Sequence, residues 1–261
     1  MLILLPPSEG KAATDAGKPF DLDRLSLPEL NPTRIKVLDA LVRLSAGRAS
    51  RAREVLGLSV KQNAELERNR ELQHSNALPA AQVYTGVLYA ALDYPSLTPA
   101  ARRRVNRTVS VASALWGAVR LDDRIPAYRL SGDVTLPRVG PIAKAWRAPL
   151  SRALPAAAGS GVVLDLRSGT YAKMWRPDPD LAERTAVARV LLERPDGTRV
   201  VASHHNKATK GRLVRALVSQ TSTPRSVDEV ATLIEKLGFI VELSPGRPGA
   251  RWHMDVVVEE L

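Results

Sequence analysis

Six polar residues crowd the stretch VVASHHNKATKGRLVRAL, Val200–Leu217: His204, His205, Asn206, Lys207, Lys210 and Arg212, with no acid among them. The first half alternates as a strand does and the second half has helical periodicity. Such a junction turns Asn206, Lys207 and the first helical amides toward an anion, with Lys210 and Arg212 a turn further on. Neighbours on a strand face opposite ways, so His204 and His205 cannot easily share a metal, and no nearby carboxylate completes a site. No metal is expected.

A second candidate opens the chain. LILLPPSEGK reads as a strand and a loop ending in Gly10-Lys11, the outline of a phosphate-cradling P-loop. The motif fails, because Leu5 stands where the first glycine belongs and Ala12 where a Ser or Thr would hold magnesium. Ser8, Glu9 and Lys11 still follow a strand end, where open sheets place ligand-binding groups. LDLRSGTYAKMWRP likewise leaves a strand and releases Asp165, Arg167, Ser168, Tyr171, Lys173 and Arg176 within twelve residues. Tyr171 is open to stacking on a base or sugar, whereas Trp175 reads as a core anchor. VYTGVLY adds Tyr84 and Thr85, and ALWGAVRLDDRIPAYR puts Arg120, Asp122, Arg124, Tyr128 and Arg129 in one loop, with either Asp122 or Asp123 able to pair Arg124. Nothing marks any serine as a nucleophile, so no catalytic residue is assigned. No cofactor motif is completed, and no cofactor is expected.

LPRVGPIAKAW, residues 136–146, has the outline of a DNA-binding helix-hairpin-helix turn, with Arg138 in place of the first glycine. Charge points the same way. The chain of 261 residues carries a net +11, and two windows hold all of it: 101–152 balances at +8 and 201–220 at +4. Concentrated positive charge attracts phosphates, nucleic acid being the usual partner. The absence of cysteine rules out disulfides and thiolate zinc sites. MLILL is too short for an export signal or a membrane span, so a cytoplasmic protein with no membrane partner is expected.

These groups need elements to hold them. Apolar spacing predicts strands at 1–5, 109–115 and 162–166, a hairpin turning at Asp196-Gly197, and closing strands FIVELS and WHMDVVVEE. Helices are predicted from Pro32 to Gly47, over Ser59–His74, after Thr98-Pro99, over Lys207–Gln220, and from a Ser226/Glu229 capping box to Leu237. The irregular alternation, free of repeats and long linkers, predicts a mixed α/β (α+β) chain forming a single domain, 1–261, around a central mixed sheet.

Taken in order, MLILLPPSEGK, VYTGVLYAAL, ALWGAVRLDDRIPAYRL, LDLRSGTYAKMW and SHHNKATKGRLVRAL resemble the motifs of the YaaA family of peroxide stress proteins over nearly the full length. The resemblance implies one mixed α/β domain of unusual topology with a basic cleft and a helix-hairpin-helix element. It also implies binding to double-stranded or branched DNA and a role against hydrogen peroxide. On the leading expectation, Lys11, Arg120, Arg129, Arg167, Lys173, Lys207, Lys210 and Arg212 contact phosphates. The alternative is an enzyme whose cleft takes a small anionic or nucleotide-like substrate, with Ser8, Glu9, Tyr84, Thr85, Asp165, Ser168, Tyr171, His205 and Asn206 around it. Convergence of those side chains in one deep pocket would favour it, since a groove made only for DNA backbone has no use for Glu, Asp and Tyr.

Overall fold

Apolar runs too short for a helix become strands here, and those buried on both faces read as continuous rather than alternating. The computed structural model describes residues 1–12, 16–194, 196–201 and 205–259. Its main sheet contains β1 (Leu2–Leu5), β2 (Val109–Ser113), β3 (Gly117–Val119), β4 (Val163–Asp165), β5 (Thr185–Glu193), β6 (Arg199–Val201), β7 (Ile240–Ser244) and β8 (Trp252–Glu259). The strands lie in the order β7-β8-β5-β4-β1-β2-β3, and β6 pairs the outer end of β5. Pairing is parallel from β8 through β5, β4 and β1 to β2, and antiparallel at β7, β6 and β3. The fold is therefore mixed α/β. Every residue of β1, β2 and β4 is buried, whereas β7 alternates between exposed and half-buried positions.

Ten helices named here surround the sheet: α1 (Asn31–Ala46), α2 (Ala49–Leu56), α3 (Asn63–Arg70), α4 (Val87–Leu92), α5 (Pro99–Thr108), α6 (Ile142–Ala145), α7 (Arg147–Ala158), α8 (Gly169–Lys173), α9 (His205–Ser219) and α10 (Val227–Lys236). Their ends follow local chemistry. Thr98 Oγ1 accepts the Ala101 amide ahead of α5, and Ser226 Oγ accepts that of Glu229 ahead of α10. The Glu229 carboxylate reaches back to the Arg225 amide, one residue earlier than a standard capping box. The polar helix predicted over 59–74 is shorter: Ser59 and Gln62 cap a single tight turn, and α3 follows. No described helix is long and apolar enough to cross a membrane.

Two buried groups lock the sheet to its surroundings. Arg34, fully buried on α1, donates to the carbonyls of Trp116, Ala118 and Ser26, so a helix cation satisfies backbone that the short β3 leaves open. Asp123 accepts from the amide and hydroxyl of Ser26 and from the Arg120 amide. The loop 120–129 is thus a structural joint rather than an anion site. Arg124 pairs with neither aspartate and donates instead to the Ala77 carbonyl.

α9 packs along α4 and crosses β5 and α5. Gly211 permits this approach: a Cβ there would press into the Leu88 carbonyl oxygen and lie 2.9 Å from both Ala91 Cβ and the Leu92 nitrogen. The missing side chain brings the start of α9, with Asn206, Lys207 and Lys210, beside the loop that opens α4. Gly211→Ala is predicted to destabilise the protein by about 1–3 kcal/mol through overpacking, read as a lower urea midpoint with an unchanged m-value.

Candidate functional site

The strand ends β1 and β4 face one region, and the loops they release do not fold back alone. After β1, the Pro6 carbonyl accepts from the Tyr89 hydroxyl at 2.8 Å, and Gly10 to Ala12 pair with Val83 to Thr85. After β4, the chain bends at once. Arg167 turns inward, its Nε and Nη2 reaching the two oxygens of Asp165 at 2.9 and 2.7 Å, with further donation to the carbonyls of Tyr171 and Trp175. Both partners are 1% exposed at the side chain. This fork holds the 165–175 segment in a tight arch that carries Ser168 and Tyr171.

Between these loops and α9 lies a cavity of about 550 Å³. Its wall is assembled from the 6–10 loop, residues 85–89, Ser131, residues 168–171, and Asn206, Lys207 and Lys210 of α9. Predicted residues Ser8, Glu9, Thr85, Ser168, Tyr171, Asn206, Lys207 and Lys210 meet there, from segments up to about 200 positions apart. Arg129 joins the rim through Glu9, whose carboxylate lies 3.0 Å from its guanidinium. Tyr84 lies underneath, fully buried, stacked on Tyr89 and hydrogen-bonded to the Tyr128 hydroxyl at 3.1 Å. Burial pushes its phenol up to about 12.

Other expectations fall elsewhere. Asp165 and Arg167 are consumed by each other, and half-buried Arg120 donates to the Val109 carbonyl. Lys11 donates to the Ser8 carbonyl at 2.9 Å and sits 4.3 Å above the Tyr128 ring, stiffening the loop from below. Lys210 is 4% exposed, with its Nζ 2.8 Å from the Leu166 carbonyl, which puts it out of reach of a duplex phosphate. Lys173 stands in a separate basic groove with Arg147 and Arg176, and Arg212 lies exposed on α9. Trp175 is a core residue, as expected. His205 begins α9, its side chain outside the description, and His204 lies outside the described residues. Among the described residues no cluster of His, Asp and Glu could hold a metal.

The 136–146 segment forms a small hairpin, Thr135–Leu136 against Gly140–Pro141, followed by α6 and α7. Arg138 has φ +66°, so an arginine occupies the left-handed conformation that the missing glycine would normally supply. A leading helix is absent from the adjoining chain, because 126–134 runs without helix through Pro126 and Gly132. α1, from far earlier in the chain, packs against the hairpin instead. Where α1 meets α2, exposed Arg43, Arg48 and Arg51 share a groove with Pro137 and Arg138. Arg51 pairs with Glu54, while Arg43, Arg48 and Arg138 have no ion-pair partner among the described residues. The sequence reading missed this groove. Its signal was the run RLSAGRASRAR, whose four arginines lie outside both charge-rich windows.

Burial holds the ammonium groups of Lys11 and Lys210 down at about 8, against the usual 10.5; Glu9 and Asp165 respectively resist that fall. From about pH 8 to 10 the unfolded chain therefore binds more protons than the folded one, and stability should rise with pH. Above pH 10 the raised phenols of Tyr84 and Tyr128 reverse the trend, since the folded chain then holds the extra protons. Urea midpoints measured from pH 7 to 11 should pass through a maximum near 10, and Lys210→Met should flatten the ascending limb.

Comparison with known proteins places the sequence in a family. Residues 1–243 match the family model described as peroxide stress protein YaaA. The chain is 51% identical to a UPF0246 protein of Streptomyces coelicolor over the whole of both chains. It is 41% identical to a UPF0246 protein of Corynebacterium efficiens, across 95% of this chain and 97% of the relative. A UPF0246 protein of Idiomarina loihiensis is 26% identical, covering 78% and 83%. The motifs that build the cavity wall and the hairpin all fall within the matched span, and the chain belongs to the YaaA family of peroxide stress proteins.

Proposed function

We propose that this protein serves the peroxide stress response by holding DNA, duplex or branched, through its phosphates. The observation that carries the reading is the groove in which Arg43, Arg48 and Arg51 meet Arg138 of the hairpin. Three of these cations have no described counter-ion, so approach of a phosphate releases condensed counter-ions without breaking an existing pair. The hairpin and the following α6 and α7 give it the second half of a helix-hairpin-helix, with α1 standing in for the first helix. Lys173, Arg147 and Arg176 form a second, separate basic groove. The reading rests on exposed arginines at a groove, so binding depends on backbone charge and shape rather than on sequence.

The cavity beside α9 supports a second reading, a small anionic or nucleotide-like ligand. Six of the nine residues expected around such a site line its wall. The cavity is too small to admit a duplex, so the two readings concern different surfaces of the same chain.

Affinity for a short duplex should fall steeply with salt. Each lost phosphate contact lowers the log–log slope by about 0.9. Arg43→Ala with Arg138→Ala is expected to reduce the slope by about two, and Lys210→Ala to leave it unchanged, in anisotropy titrations between 50 and 300 mM salt, a range taken from the general salt sensitivity of such complexes. A double variant with an unaltered slope removes the groove from the DNA reading.

A further inference from the structure

The cavity wall contains two polar groups that the described residues do not fully satisfy. Lys210 is 4% exposed, and its ammonium has three donors but, among the described residues, a single acceptor, the Leu166 carbonyl. The charge that acts on it, Asp165, is already spanned on both oxygens by Arg167. Asn206, four residues earlier and so on the same face of α9, buries its Oδ1 with no donor among the described residues. Leaving either group unmatched costs free energy that a bound molecule would recover.

The two deficits are of opposite kinds. Lys210, with Lys207 beside it at the cavity edge, calls for an anionic oxygen, and Asn206 Oδ1 calls for an N–H or O–H. Inorganic phosphate meets the first demand and leaves most of a 550 Å³ space empty. A ligand that meets both is a phosphate joined to a body with hydrogen-bond donors. The rest of the wall suits such a body: hydroxyls of Thr85, Ser131 and Ser168 surround it, and the Tyr171 and Tyr89 rings offer flat apolar surface. The Tyr171 ring packs against Gly132, where an added Cβ would lie 3.4 Å from its Cε1.

We propose that the cavity takes one nucleotide unit, with its phosphate on Lys207 and Lys210 and a sugar or base donor on Asn206 Oδ1. This rests on the second reading of the cavity as a ligand site and is independent of the arginine groove. The same chemistry arrives from two sources, a free mononucleotide or a nucleotide turned out of DNA held at the groove.

Calorimetric titration of the intact protein with nucleoside 5′-monophosphates, the matching nucleosides, inorganic phosphate, a sugar phosphate and a dicarboxylate tests it. The mononucleotides should bind at least tenfold more tightly than any other probe. Lys207→Ala and Asn206→Ala should each weaken them about tenfold, the loss of one charge-assisted or buried hydrogen bond. Both positions tolerate truncation without touching the core, and unchanged melting of the variants confirms folding. Arg43→Ala with Arg138→Ala should leave mononucleotide binding intact.

In a parallel arm, a duplex with a single unpaired 2-aminopurine reports an extruded nucleotide as a fluorescence rise lost in Asn206→Ala. Response in that arm alone assigns the source to DNA, and response to free mononucleotides alone assigns it to the soluble pool. Phosphate or the dicarboxylate binding as tightly as a mononucleotide, dependent on Lys207, overturns the nucleotide assignment while the ligand site stands. No response from any probe in either arm overturns both, and so does mononucleotide binding that neither variant weakens.

Discussion

Everything around the cavity depends on the ion pair between Asp165 and Arg167. Two residues apart and almost wholly buried, they force the chain to turn back the moment it leaves the central sheet. Taking both charges out of water is costly, and an apolar pair would have been no less stable. The return is geometric. Arg167 uses its remaining donors on the carbonyls of Tyr171 and Trp175, so one guanidinium ties a strand end, a short helix and a core tryptophan together. The arch then stands opposite α9, where Lys210 reaches the Leu166 carbonyl across the gap. Strand, arch and helix are thus joined by two buried cations, Arg167 paired with Asp165 and Lys210 held by a single carbonyl.

That arrangement explains why net charge is a poor guide to where this chain presents its cations. Arg34 and Arg167 serve as multi-armed donors to backbone carbonyls, and Arg120 donates to one, a role suited to a planar group that keeps its charge when buried. Among the described residues, exposed cations without an ion-pair partner include those at the α1–α2 junction, the hairpin and the 147–176 groove, besides Lys207 and Arg212 on α9. Burial, rather than the count of arginines, separates the two populations.

The strands and long helices were legible in the sequence because apolar periodicity and caps are local: LILL, Gly47, Thr98 and Ser226 each act within one turn. Much of the cavity was legible too, since Ser8, Thr85, Ser168 and Lys207 all follow the end of a strand or open a helix. What lay hidden depends on contacts between distant segments. Nothing near Arg167 in the sequence says that its carboxylate partner is two residues back and inward, while Asp123 and Arg34 find partners about a hundred residues away. The α1–hairpin groove was invisible for the same reason, because Arg43 and Arg138 are neighbours only in the fold. Arg138 marks the limit of motif reading. The hairpin tolerates an arginine at a left-handed position, so a missing glycine did not abolish the turn.

The account assigns two ligands to two surfaces, with DNA phosphates at the arginine groove and a single nucleotide unit in the cavity. Amide hydrogen exchange of the protein alone and with a fully paired duplex tests that division most directly. Protection on adding duplex should appear at residues 43–51 and 137–147 and leave 168–171 and 206–210 unchanged. Protection confined to the cavity segments, with none at the groove, would contradict it.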